Sequence, residues 1–211
     1  MVASALLTSS SCSGAYTAEM SLAAVSKTIT ESGFFDSPRS FRPVSCHEWD
    51  AHCRQLIFDH HVWCREATGD KFPFPCVFDN VEGCIPSNTY DPTSDFVGKL
   101  KAVSRSKLVR FQHCYTHGKM CDLFNPSLAP DLETAGLPCW DFSLAGARRY
   151  ENGPTCTVFM AHAKRHKELR TPLLIIENVQ NLRMQMIEYL YGDDYMIYPL
   201  YVDCADQGHF G

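Results

Sequence analysis

The sequence predicts an α/β protein built on one open, mostly parallel sheet with helices on both faces. Three observations predict it. Six short apolar segments recur along the chain, helical periodicity fills most of the intervals between them, and the segment 173–176, Leu-Leu-Ile-Ile, is apolar at every position, as suits a strand covered on both sides. Strands joined through helices pair in parallel with right-handed crossovers.

Taken in order, a first strand at 2–9 breaks into Ser-Ser-Cys-Ser-Gly. A helix at 18–30 follows, with Leu22, Val25 and Ile29 spaced to face the sheet and Lys27 and Glu31 facing water. A second strand at 41–46 leads to a helix from Asp50, with Cys53, Leu56, Ile57 and Trp63 on its inner side, and a third strand occupies 74–78. Between about 82 and 133, Pro86, Pro92, Pro126 and Pro130 punctuate one helix at 95–110, which reads as an insertion into a single domain spanning 1–211. A fourth strand ends at Pro138, a helix covers 155–169, and the fifth strand is 173–176. A helix at 181–191 stops at Gly192, and the alternation over 196–204 predicts a sixth strand.

Composition narrows the function. With 211 residues, 45 % of them hydrophobic, the chain can bury a core, which excludes disorder over most of its length. No window approaches about 18 consecutive apolar residues, so no membrane helix is expected. The first seven residues lack the basic start of a secretory signal, and the expected location is the nucleus in a eukaryote and the cytoplasm otherwise. Nineteen basic against 24 acidic side chains give a net charge of -5, so the chain as a whole is no electrostatic trap for nucleic acid, although local patches exist. The 11 cysteines are expected as reduced thiols.

Open parallel sheets bind ligands at the carboxyl ends of their strands. The residues there are Ser13-Gly14, Glu48, Asp79, Pro138-Cys139, Glu177-Asn178 and Asp206 to Gly208. A glycine turn between strand and helix brings free backbone amides close to a negative group. Glu48 is placed to accept hydrogen bonds from ribose hydroxyls and Asp79 to meet an adenine amino group, the alternative for each being a helix cap or turn acid. Cys139, fixed behind a proline at a strand mouth, has the position of a nucleophile; a buried inert thiol is the alternative. Glu177, beyond an apolar strand, is expected to be poorly solvated and to donate a proton, or else to cap the next helix.

In order and spacing these residues resemble the AdoMet-dependent DNA (cytosine-5) methyltransferase family. The resemblance spans most of the chain and is strongest from 136 to 179, through Pro138-Cys139 with Phe142-Ser143 and Glu177-Asn178-Val179. It implies a Rossmann-like methyltransferase fold in a truncated or divergent member lacking the C-terminal target-recognition part; Asp206 to Gly211 resembles the opening of a further motif. It also implies methyl transfer from S-adenosyl-L-methionine to carbon 5 of cytosine. Cys139 would add covalently to the ring, Glu177 would assist at ring nitrogen 3, and Asn178 would hold the local backbone. Ser13, Gly14, Glu48, Asp79 and Pro138 would line the cofactor. The implied partner is DNA, with tRNA as the other nucleic acid methylated by the same nucleophile; no membrane is implied. Ser143, Arg148 and Arg149, and Lys101 and Arg105 from the basic run 99–110, would contact nucleic acid. Two departures stand out: Tyr16, placed to crowd the cofactor, and Trp140 where a glutamine commonly follows the nucleophile.

Other readings remain. A non-catalytic or truncated relative would bind AdoMet or nucleic acid without turnover, and a zinc-binding regulatory module is suggested by Cys and His abundance. His113, Cys114, His117 and Cys121 fall within nine residues, and Cys46, His47, His52 and Cys53 within eight, but neither group has paired zinc-ribbon spacing, so no residue is assigned as a metal ligand; the alternative is a structural zinc at His113 to Cys121, where a staple would serve the inserted region.

Overall fold

β1 (Leu6–Ser11) lies at the centre of a five-stranded sheet of order β3-β2-β1-β6-β7, all neighbours parallel. The computed structural model describes residues 5–33, 40–126 and 129–202. The other strands are β2 (Phe41–His47), β3 (Cys76–Phe78), β6 (Leu132–Gly136) and β7 (Leu173–Glu177). Between β3 and β6, β4 (Phe111–Cys114) and β5 (Lys119–Asp122) form a separate antiparallel hairpin.

Among the described residues, five α-helices complete the layers: α1 (Thr17–Glu31), α2 (Ala51–Thr68), α3 (Phe96–Arg105), α4 (Cys156–Leu169) and α5 (Met184–Tyr191). They enclose two apolar cores. One gathers Tyr16, Ala23, Ile57, Cys64 and Val77 with α1 and α2, and the other gathers Phe78, Val103, Phe142, Phe159 and Leu190 with α3, α4 and α5. Val77 and Phe78, adjacent in β3, serve different cores because successive strand residues point to opposite faces. The α/β class with helices on both faces of a parallel sheet is therefore observed.

Several elements differ from expectation. β1 is Leu6–Ser11, and its buried stretch is Thr8 to Ser11. β3 starts only at Cys76, since Pro73 and Pro75 have no N–H to give a ladder. α3 is capped by the Asp95 carboxylate, which accepts from the Gly98 amide, and stops at Arg105 because Ser106 is extended. α5 begins at Met184, three residues later than expected. In α1 the inner face is Glu19 and Ala23, leaving Val25 exposed; in α2 it is Ile57, His61 and Cys64, leaving Leu56 and Trp63 at 38 % and 42 % exposed. Both helices are turned from the predicted face because Tyr16 and His61 join them, with the Tyr16 hydroxyl 3.1 Å from His61 Nδ1. The predicted sixth strand is not formed over 196–202: Leu200 and Tyr201 are both exposed, so alternation there buries neither face. Residues 203–204 and the Asp206 to Gly211 motif lie outside the described residues.

The layer between the sheet and α4 holds polar groups. Ser9 donates to Glu133, its register partner on β6, and the fully buried Glu133 faces His162 and His166 at 3.4 Å each. Arg165, also buried, donates to His166 Nε2 at 2.9 Å; burial pulls its guanidinium below the ordinary range, and the facing Glu133 offsets part of that. His166 Nδ1 then donates to Thr171 Oγ1 at 2.9 Å, which fixes that ring as neutral. Burial pushes His166 down to about 3 and His61 down to about 4, and it pushes His47 well below its ordinary range.

These bases protonate more readily when the chain unfolds, so their contribution is present above the ordinary imidazole value of 6.5 and is lost as pH falls below it. Glu19, pushed up to about 7 by burial, works the other way: its protonated form favours the fold below that pH. Three groups against one leave a net loss of stability in acid. The urea midpoint should fall between pH 7.5 and pH 5.0; an unchanged or higher midpoint would contradict the buried neutral histidines.

Candidate active site

The carboxyl ends of β1, β2, β6 and β7 meet along one edge of the sheet because the strands run parallel in register. Gly136 pairs with Glu177 across β6 and β7, and the Asn178 side-chain amide donates to the Leu137 carbonyl at 2.8 Å. The segments carrying Pro138-Cys139 and Glu177-Asn178 are thus tied together at adjacent strand ends. Gly136 lies beside the β1 exit, where a Cβ would make ordinary van der Waals contact, 3.5 Å from the Cys12 carbonyl oxygen and 3.9 Å from Glu177 Oε2.

Cys139 is exposed, as a nucleophile must be to reach a substrate, and the inert buried thiol is excluded. Its loop is held by its own backbone: the Cys139 carbonyl accepts from the Phe142 and Ser143 amides at 2.9 and 2.8 Å, and the Trp140 carbonyl accepts from Ala147 at 3.0 Å. Asp141, fully buried, accepts from the Thr155 amide and hydroxyl at 3.0 and 2.7 Å, at the start of α4. A carboxylate at a helix N-terminus is favoured by the free amides and the helix dipole. Phe142 packs edge-on against Phe159, so an apolar anchor and an ionic anchor flank the loop. Spacing alone did not single out Asp141, although it lies two residues beyond Cys139.

The expected solvation of Glu177 is not met. It sits exposed on β7, the edge strand, so the burial that would make it hold a proton is absent. Asn178 does hold the local backbone, through Leu137 and through its own Val179 amide.

At the β1 exit, Cys12, Gly14 and Tyr16 all have positive φ, and a Cβ on Gly14 would meet nothing within 4 Å. The outer side of this turn is open. Tyr16 is fully buried toward α2, so it does not crowd that side. Glu48 is largely buried, and its two oxygens accept from the Gly14 and Asp50 amides at 2.8 and 2.9 Å, joining the first two strand exits. Each carboxylate oxygen keeps a second acceptor position. Asp79 is exposed, 3.6 Å from Arg54, and Arg54 also donates to the Glu48 and Trp49 carbonyls. Ser13 shares a hydrogen bond with Ser10 at 2.8 Å. Trp49, Trp140 and Leu144, at 70 %, 58 % and 70 % exposed, add apolar surface to these loops, a feature that sequence periodicity could not reveal.

The basic residues divide. Arg148 and Arg149 are exposed in the Cys139 loop, where Arg148 donates to the Leu144 carbonyl. Arg105 lies toward the other end of the sheet: its neighbour Ser104 accepts from Lys164, eight residues or about 12 Å along α4 from Cys156. Lys101 is exposed one turn before it, while Lys99 is buried near the Tyr90 ring. The run is therefore not one solvated face directed at Cys139.

The metal groupings change as well. Cys46 and His47 are buried neighbours on a strand and point to opposite faces, which separates the first grouping. In the second, Cys114, His117 and Cys121 converge, and their fourth neighbour is Cys76, from β3, instead of His113. A contact between residues so distant in sequence has no local signature.

The family model described as C-5 cytosine-specific DNA methylase matches residues 117–208. This segment is similar to that family. It contains Cys139, Asp141, Glu177 and Asn178, and the parallel sheet with flanking helices is consistent with a Rossmann-like methyltransferase fold. No curated protein matches the chain.

The Cys139 loop generates a prediction. A Cβ on Gly153 would lie 2.0 Å from the Asp141 carboxyl carbon, so Gly153→Ala must displace that anchor. We expect a loss of about 1–3 kcal/mol from overpacking and faster tryptic cleavage after Arg148 or Arg149. Limited proteolysis followed by mass spectrometry reads this; an unchanged cleavage rate would contradict the anchoring role of Asp141.

Proposed function

We propose that the chain transfers a methyl group from S-adenosyl-L-methionine to carbon 5 of cytosine in DNA, with Cys139 as covalent nucleophile. The observation that carries this reading is the joining of Pro138-Cys139 and Glu177-Asn178 at neighbouring strand ends within the segment that matches the cytosine-5 methylase family. The family supports DNA cytosine methylation in general.

The residues at the first three strand exits fit the cofactor. The open side of the Ser13-Gly14 turn gives room for its amino-acid end, the spare acceptor positions of Glu48 suit ribose hydroxyls, and Asp79 suits the adenine amino group. Pro138 borders the same edge. When bound, AdoMet supplies an electrophilic methyl group on a positively charged sulfur.

A cytosine must leave the base stack to reach an exposed thiol at a loop. The Cys139 thiolate forms a bond to carbon 6 while the carbon 5–carbon 6 double bond opens, which makes carbon 5 nucleophilic. Glu177, exposed in the free chain, is covered once the flipped base enters, and the proton it then shares with ring nitrogen 3 stabilises the developing charge. Carbon 5 gains the methyl group as the methyl–sulfur bond breaks and its electron pair stays on the departing neutral thioether; water takes the carbon 5 proton, the carbon 5–carbon 6 double bond re-forms, and the sulfur–carbon 6 bond breaks to release the thiolate. Asn178 and Asp141 hold the two loops in place. Trp49 and Trp140 offer flat apolar surface to a base or to adenine, while Ser143, Arg148 and Arg149 lie on the loop suited to phosphate contacts.

The test is a trap. Incubation with AdoMet and DNA containing 5-fluorocytosine blocks proton removal, so the adduct accumulates. A denaturation-resistant protein–DNA species that is lost in Cys139→Ser is expected. AdoMet binding without an adduct would favour the silent relative over the enzyme.

A further inference from the structure

We propose that Cys76, Cys114, His117 and Cys121 bind one structural zinc ion that fastens the β4–β5 hairpin to the sheet. Their donor atoms, three Sγ and His117 Nδ1, all lie within 4.8 Å of one another. The nitrogen is 3.6 Å from Cys76 Sγ, 3.2 Å from Cys114 Sγ and 3.5 Å from Cys121 Sγ. A tetrahedral zinc with Zn–S near 2.3 Å and Zn–N near 2.0–2.1 Å sets each nitrogen–sulfur edge at about 3.5–3.6 Å. The four groups stand at nearly that spacing, which hydrogen bonding does not explain: one ring nitrogen cannot serve three thiols at once.

The chain builds the cluster from two directions. Cys114 closes β4, His117 lies in the turn, and Cys121 lies in β5, a C-x2-H-x3-C arrangement on one hairpin. Cys76 opens β3, the edge strand of the main sheet. Beside it the Tyr115 amide donates to the Val77 carbonyl at 2.8 Å, and Thr116 Oγ1 accepts from the Val77 amide and donates to the Pro75 carbonyl. Cys76 and Cys114 are buried, Cys121 is half-buried and His117 is exposed, so the site is closed on the thiol side and reachable from solvent on the imidazole side. Four protein donors leave no open position, the arrangement of a structural centre.

The other convergent group, Glu133 with His162 and His166, is not a metal site, because the Arg165 guanidinium reaches His166 Nε2 at 2.9 Å and brings its own positive charge. The sulfur-rich donor set selects zinc over magnesium or calcium, which prefer oxygen. Its reach extends along the strand. Tyr115, next to Cys114, packs 4.1 Å under the Arg54 guanidinium, and Arg54 holds the Glu48 and Trp49 carbonyls. The clamp thus steadies the β2 exit through the hairpin, without depending on the methyl-transfer reading.

The test is elemental analysis of the full chain, purified under reducing conditions from zinc-supplemented medium, with X-ray absorption at the zinc edge. We expect one zinc per chain with three sulfurs and one nitrogen around it. Cys76→Ser and Cys121→Ser should each lose at least the roughly 10- to 100-fold in metal affinity that even an outer partner's removal brings, whereas His113→Ala should keep the metal. Should the serine variants fail to fold, cobalt titration of the wild-type chain after zinc removal still decides, since a tetrahedral thiolate site gives thiolate-to-cobalt absorption bands. A zinc-free wild-type chain, a different donor count, or full zinc retention in folded Cys76→Ser would overturn the proposal.

Discussion

Parallel register is the constraint on which this molecule depends. Strands that run the same way side by side end on the same edge, so pairing Gly136 with Glu177, and Ser11 with both His47 and Ala135, delivers four loop starts to one place. The segments carrying Cys139 and Glu177, 38 positions apart in sequence, leave adjacent strand ends through this pairing, with the Asn178 to Leu137 hydrogen bond as its clasp.

The loops on that edge are held by two buried carboxylates, Glu48 accepting from two backbone amides and Asp141 from the Thr155 amide and hydroxyl through one oxygen. Glu48 joins the first two exits and Asp141 ties the Cys139 loop to the start of α4. Such bonds are worth more than neutral ones, and leaving either acceptor unpaired in the interior costs more than the bond contributes. Rigidity at the loops is thereby separated from the exposed groups they carry, Cys139 and Trp140. On the proposed reading, a thiol presented this way needs little reorganisation to meet a base.

Much of the edge was legible in the sequence. Apolar runs located the strands, Gly136 and Pro138 marked the exit of β6, and the rule that ligands collect at carboxyl ends picked out Gly14, Glu48, Asp79 and Cys139 before their geometry was known. What was illegible depended on contacts across the fold. The inner faces of α1 and α2 are set by the Tyr16–His61 contact, and periodicity alone chose other residues. The segment 196–202 alternates without burying a face, because a strand requires a neighbour as well as a pattern. Glu177 looked shielded by apolar residues adjacent in sequence, yet β7 is an edge strand and leaves it in water. Cys76 joins Cys114, His117 and Cys121 from another strand, so the local spacing nominated His113 in its place.

The most direct measurement is a titration of the isotope-labelled chain with S-adenosyl-L-methionine, following backbone amide resonances. The account predicts saturable shifts concentrated at Cys12 to Gly14, Glu48 to Asp50, Asp79 and the amides around Cys139. Shifts confined to the opposite end of the sheet, around Lys164 and Arg105, or no shifts at any concentration, would contradict it.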